Sequence, residues 1–127
     1  MSELARSGGA AADGAAVQVD LVLSALADPM RRRILDLLGE GRALSASSMA
    51  DALPVSRQAV VQHLAVLQRS GLVSGRKSGR EVLFSVRPEA LTGTASWMNT
   101  LAESWTQRLA LLKRAAEQQP GGPPQTR

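Results

Sequence analysis

The amino-acid sequence predicts a small, mainly α-helical domain with five helices and one β-hairpin. Apolar residues recur at helical spacing through most of the chain, and one segment over residues 72–86 has a period of two. Ser, Pro and Gly stand where the helices would begin and end. The 127 residues, of which 44% are hydrophobic, suffice for one such core. We therefore expect a single folded domain.

The two ends of the chain have a different composition. Residues 7–16 read SGGAAADGAA and residues 118–127 read QQPGGPPQTR, and neither segment has enough large apolar side chains to offset the entropy of ordering it. We expect a flexible tail over residues 1–16, a folded domain over residues 17–118 and a second flexible tail over residues 119–127.

Two helices are predicted in the first part of the domain. Val17 to Ala27 has apolar residues at helical spacing. Asp28 and Pro29 then begin a second helix, because Asp is a good N-cap and Pro fits the first helical position. The buried positions predicted for this second helix are Met30, Ile34, Leu37 and Leu38.

Two further helices follow, with a tight turn between them. Ser45 is the predicted N-cap of a short helix through Leu53, which Pro54 terminates. Ser56 caps the next helix, which runs to Ser70. The inward positions of that helix are Val60, Leu64 and Leu67. Two helices joined in this way form a helix-turn-helix arrangement.

The period then changes to that of a β-hairpin. Strands over residues 72–77 and 80–86 flank a turn at Ser78 and Gly79. The apolar residues predicted to share one face are Val82, Phe84 and Val86. The tip of the hairpin is cationic, with Arg76, Lys77 and Arg80. Such a tip suits a hairpin that contacts phosphates, although Lys and Arg also protect exposed strand edges.

A long last helix is predicted from Glu89 to Gln118, with apolar residues repeating near every 3.5 residues. It is longer than so small a core can cover, and it carries both tryptophans, Trp97 and Trp105. Large aromatic side chains on such a helix indicate burial against a second subunit. We expect a homodimer through the first and last helices, with interface residues Val17, Leu21, Met98, Leu101, Trp105, Leu109 and Leu112.

The outward face of the helix from Ser56 to Ser70 has the character of a DNA-reading surface. Its outward residues are Gln58, Val61, Gln62, Ala65 and Arg69. An ordinary surface helix is rich in Glu and Lys, whereas this helix contains no acidic residue. A helix in the phosphate-lined major groove needs hydrogen-bond donors and no carboxylates, so the sequence predicts DNA contact. His63 adjoins the apolar stripe and is interpreted as a hydrogen-bonded structural residue.

The charge distribution is compatible with this interpretation. The formal net charge is +4, and the segment 31–87 contains ten Lys and Arg against four Asp and Glu. An excess of basic residues in the middle of the chain is expected of a protein that binds nucleic-acid phosphates, although a merely soluble basic surface has the same composition.

The residue inventory argues against catalysis, cofactors and membrane insertion. The chain has no Cys, no Tyr and one His, and Ser56 and His63 lie about two helical turns apart, too far for a nucleophile and its base. We therefore expect no catalytic residues and no cofactor. No apolar run approaches the roughly 18 residues of a membrane helix, and no secretory signal is evident, so we expect a cytoplasmic protein.

Three segments, in this order and spacing, resemble the ArsR/SmtB-type winged-helix repressors. They are LADPMRRRILDLL at 26–38, SRQAVVQHLAVLQRSGLV at 56–73 and SGREVLFSV at 78–86. The resemblance implies a winged helix-turn-helix dimer that represses transcription, with the second segment as recognition helix and the third as wing. It implies base-reading roles for Ser56, Arg57, Gln58, Val61 and Gln62, and DNA-backbone contacts from Arg76, Lys77 and Arg80.

The chain departs from the metal-sensing members of that family. It has no Cys beside the helix before the turn, and Glu103 in the last helix has no His partner. The chain therefore resembles the metal-independent branch, and any small-molecule effector is unidentified. The alternative function is a winged-helix dimerisation or protein-interaction module that binds DNA only non-specifically.

Overall fold

The computed structural model describes residues 18–118, and Val17 and both predicted tails lie outside this range. Within it the chain forms five helices and a three-stranded antiparallel sheet, as the sequence predicts except for the third strand. The elements are α1 at residues 18–26, α2 at Pro29–Leu38, β1 at Leu44–Ser45, α3 at Ala46–Ala52, α4 at Arg57–Arg69, β2 at Val73–Ser78, β3 at Glu81–Val86 and α5 at Pro88–Gln118.

Polar side chains cap the helices at the residues that the sequence indicates. Asp28 Oδ2 accepts a hydrogen bond from the backbone N–H of Arg31 at 2.9 Å. Ser45 and Ser56 do the same for the third residue after each of them, both at 3.1 Å. These bonds satisfy amides that have no partner inside a helix, and so they fix where α2, α3 and α4 begin.

The core joins the helices to the sheet. Val22 and Ala25 of α1 meet Ile34 and Leu38 of α2 in one buried cluster. The inward residues of α4 are fully buried there, as predicted: Val60, Leu64 and Leu67. Because this stripe holds α4 to the domain, the opposite face of the helix is left exposed.

The sheet contains a strand that the sequence analysis missed. Its order is β1-β3-β2, and Leu44 of β1 pairs with Phe84 of β3. The turn of the hairpin also lies one residue later than predicted, at Gly79 and Arg80, because Ser78 pairs with Glu81. Gly79 has a φ of +62°, which suits the first central position of a type II′ turn.

A glycine connects α4 to the wing formed by β2 and β3. Gly71 has a φ of +81°, and its N–H donates to Gln68 O at 3.0 Å. The N–H of Leu72 donates to Leu67 O at 3.1 Å. This pair of bonds is a Schellman motif, which ends the helix and turns the chain into β2 within two residues.

The chain divides into two compact units within α5, after Thr94. Ala90 and Thr94 are buried in the first unit. In the second unit, over the described residues 95–118, the predicted apolar repeat is present on the helix and largely exposed: Trp97, Met98, Trp105, Leu109 and Leu112 are 44–65% exposed, and Leu101 is half-buried. Among the helices of residues 18–118, none is both long and apolar enough to cross a membrane.

Candidate nucleic-acid interface

The exposed face of α4 carries the side chains predicted to read bases. Arg57, Gln58 and Gln62 are exposed, and Val61 is 43% exposed although it is apolar. Ser56 is exposed as well, but its hydroxyl accepts the capping bond from the N–H of Ala59. The face is therefore a row of donors with one apolar position and no carboxylate, which is the chemistry that base edges in the major groove require.

Arg57, the first residue of α4, is held by a residue of the preceding helix. Its Nε donates to the hydroxyl of Ser47 at 3.0 Å. Neither Nη atom of Arg57 has a hydrogen-bond partner within residues 18–118, so the outer edge of the guanidinium remains available. Ser47 is not among the residues predicted from the sequence, since its contact with Arg57 joins residues ten apart across the turn between α3 and α4.

Two of the cations predicted at the tip of the wing, Arg76 and Lys77, lie on opposite faces of the hairpin. Lys77 pairs with Val82 and Arg76 with Leu83, so the two neighbouring cations point to opposite faces of the hairpin. Lys77 shares its face with Gly75, at which an added Cβ would lie 3.2 Å from Gln68 of α4. Lys77 is thus on the face that packs towards α4, and Arg76 is on the other.

A surface cavity of about 410 Å³ lies where α3, α4 and β3 meet. It brings Arg57 and Val61 of α4 together with Arg80 of the turn, three of the predicted DNA contacts. It also contains Glu81, a carboxylate that the sequence analysis left out of the site. Its lining consists of Ser45, Ala46, Ser47, Arg57, Val61, Arg80, Glu81, Val82 and Phe84.

His63 lies behind the exposed face of α4, in a polar cluster with the start of α2. Its Nδ1 is 3.4 Å from Arg31 Nη1 and 3.9 Å from Asp28 Oδ2. Arg31 also donates to two carbonyls at the end of α1, those of Ala25 at 2.8 Å and Ser24 at 3.2 Å. The hydrogen bond from the backbone N–H of Arg31 lowers the pKa of Asp28. Burial opposes this shift, and the nearby Arg31 and His63 side chains add to it. The cluster joins three helices, which agrees with the interpretation of His63 as a structural residue.

Comparison with known proteins places this site in a family. The helix-turn-helix domain family matches residues 26–76, from the end of α1 into β2. The regulator Rv2034 of Mycobacterium tuberculosis is 40% identical over 90 residues, which cover 71% of this chain and 80% of that protein. The transcriptional repressor SdpR of Bacillus subtilis is 31% identical over 77 residues, 61% of this chain and 84% of that protein. The solved structure of an ArsR-like transcriptional regulator from Rhodococcus sp. RHA1 has a TM-score of 0.75 at 40% identity and covers 84% of this chain and 99% of its own. The chain belongs to the ArsR family of winged helix-turn-helix regulators.

The family assignment gives the general role of this ArsR-family chain. Its named relatives are transcriptional regulators and repressors, and the matched helix-turn-helix contains α3 and α4. The chain is therefore a DNA-binding transcriptional regulator.

The described part of this ArsR-family chain offers no obvious metal site. Over residues 18–118, no three His, Asp or Glu side chains lie close enough together to hold a metal ion, and the sequence contains no Cys. Glu103 lies on the second unit, beside Asn99 and Gln107 along the helix. Independence from metal stays a prediction.

Proposed function

We propose that this chain represses transcription by binding, as a homodimer and without metal, to a pseudo-palindromic DNA operator whose sequence it reads through α4. The observation that carries the proposal is the carboxylate-free, exposed face of α4 beside a cationic wing.

In this mechanism the first turns of α4 enter the major groove. Arg57 donates its two Nη groups to a guanine, and Gln58 and Gln62 pair with adenine edges. Val61 contacts a thymine methyl group, which accounts for an exposed apolar side chain in the middle of a polar face. Lys77 and Arg80 neutralise phosphates from the wing and set the register of the helix on the duplex.

A dimer is needed to read two half-sites. The apolar row on α5 is over half exposed at Trp105, Leu109 and Leu112. Exposure of this apolar surface to water is unfavourable, and association with a second copy would bury it. A twofold dimer presents two copies of α4 about 34 Å apart, one turn of DNA. Occupation of such a site blocks access of polymerase to an overlapping promoter.

The test is a fluorescence-anisotropy titration of three variants on a selected operator and on a scrambled duplex, at two salt concentrations and with EDTA present. Arg57→Ala is expected to lower the preference for the operator by about 1–3 kcal/mol with little effect on scrambled DNA. Lys77→Ala is expected to weaken binding to both duplexes and to reduce the salt slope by about one.

Arg76→Ala is the matched control for Lys77→Ala, since it removes the same charge from the other face of the hairpin and is expected to have the smaller effect. Equal, salt-insensitive binding by all three variants would contradict the proposal and favour a protein-interaction module. Loss of binding in EDTA would refute metal independence.

A further inference from the structure

The hydrogen bond between Ser47 and Arg57 joins α3 to the first residue of α4. Ser47 is exposed and is the second residue of α3, and its hydroxyl accepts from Arg57 Nε at 3.0 Å. The hydroxyl satisfies no backbone amide, because the cap of α3 is Ser45, whose Oγ accepts from the N–H of Ser48. Its only hydrogen bond within residues 18–118 is therefore the one to Arg57.

We infer that Ser47 is a positioning residue for sequence readout: it holds the guanidinium of Arg57 so that the two Nη groups face the DNA before DNA arrives. This inference rests on the proposed function. Ser47 need not touch a base itself, since it acts through Arg57.

The geometry gives the contact this effect. An arginine can present either its Nε and one Nη, or both Nη groups, to the O6 and N7 of a guanine. Because the Nε–H of Arg57 is bonded to Ser47, only the two Nη groups remain available to a guanine. The contact therefore selects the second of these two binding modes. Arg57 also lines the same cavity as Arg80 and Glu81, so an unrestrained guanidinium has a neighbouring carboxylate to turn towards.

The expected magnitude follows from the cost of ordering a long side chain. Immobilising one such side chain on binding costs the equivalent of about two- to tenfold in an equilibrium constant. Ser47 removes part of this cost in the free protein. Loss of the Ser47 hydroxyl is therefore expected to lower the preference at one base pair of each half-site by up to about tenfold, without changing the charge of the surface.

The experiment selects DNA from a library of duplexes with a randomised central segment, using the full-length protein and its variants at one fixed salt concentration. Ser47→Ala removes the hydroxyl, and Ser47→Thr restores one as the conservative rescue. Arg57→Lys keeps the charge but lacks the guanidinium. The fourth variant is Ser48→Ala. Ser48→Ala is the matched control, because it removes a neighbouring exposed hydroxyl that bonds to Ser45 and not to Arg57.

The expected result is that Ser47→Ala and Arg57→Lys lose preference at the same base position, while Ser47→Thr and Ser48→Ala retain it. Affinity for scrambled DNA, the salt slope and the melting temperature should be the same in Ser47→Ala as in the wild type. In the Arg57→Lys background, Ser47→Ala should have no further effect on preference. Equal weakening on every duplex, or an effect that persists in that background, would overturn the inference and make Ser47 a phosphate contact.

A second measurement on the free protein separates this inference from the proposed function. The measurement is the rate at which the Nε proton of Arg57 exchanges with water, followed by NMR. Its signal is assigned by its absence in Arg57→Lys. The proton is expected to exchange slowly in the wild type and rapidly in Ser47→Ala. Fast exchange in the wild type overturns the positioning role even if α4 reads DNA. A library that the wild type leaves unenriched refutes sequence-selective binding instead, and with it any readout role, whatever the exchange rate.

Discussion

Replacement of Gly71 by alanine tests how α4 is joined to the wing. The φ of +81° at this position costs an L-residue about 1–2 kcal/mol. An added Cβ would also lie 3.3 Å from Gln18 Nε2 and 3.5 Å from Ala90 Cβ, so it meets neighbours without a severe clash. The backbone term dominates, and Gly71→Ala is expected to lower the free energy of unfolding by about 1–2 kcal/mol.

For a domain of about 100 residues this loss corresponds to a fall in melting temperature of about 4–16 °C. The assay is urea and thermal denaturation followed by circular dichroism, at one protein concentration because association changes apparent stability. Gly71→Asn carries the same Cβ but tolerates the left-handed region better, so it should lose less stability than Gly71→Ala.

The matched control is Gly93→Ala. Gly93 lies in α5, and nothing is within 4 Å of the position of an added Cβ, so the higher helix propensity of alanine should raise stability by about 1 kcal/mol. Opposite signs for the two substitutions are required by this reasoning. A Gly71→Ala protein as stable as the wild type, or at least as stable as Gly71→Asn, would show that the conformation of the link does not depend on glycine.

Three other predictions follow from the site and the helices around it. Glu81→Gln removes the carboxylate beside Arg57 and Arg80 and should raise affinity for every duplex about twofold at low salt, measured by anisotropy; unchanged affinity would place Glu81 away from the phosphates. Because the pKa of Asp28 is lowered in the folded state, its contribution to stability is present above the ordinary carboxyl pKa and is lost as pH falls through the folded value; denaturation across acidic pH should show this loss in the wild type and not in Asp28→Asn. Leu109→Lys should shift the protein from dimer to monomer in sedimentation, and a dimer of unchanged strength would exclude the apolar row of α5 as the interface.

The parts of the fold that the sequence predicted well are those encoded over three or four neighbouring residues. Asp28, Ser45 and Ser56 cap helices through hydrogen bonds to residues only three positions away. Their capping role can therefore be predicted without knowledge of the rest of the chain. The inward stripe of α4 is likewise a local period, and the structure buries the same three residues.

The parts that the sequence analysis missed depend on pairing at long range. The strand β1 has two residues, too few to show any period, and exists because Leu44 meets Phe84 forty residues later. Placing the turn at Gly79 and Arg80 shifts the hairpin register by two residues, so that Gly75 opposes Phe84 and not Val82. A shift of two leaves every side chain on its predicted face, which is why the apolar pattern alone did not distinguish the two registers.

Some residues of the candidate site can likewise be predicted from local sequence patterns, whereas others depend on contacts with a different helix. The exposure of Gln58, Val61 and Gln62 follows from the stripe on the opposite side of α4, and these side chains bury little, so substitutions there should change base preference at small cost in stability. Arg57 differs from them because its orientation depends on Ser47, a residue of another helix. In the proposed mechanism, a substitution in α3 is therefore expected to alter the base preference of α4 without changing α4 itself, so that specificity depends on both helices.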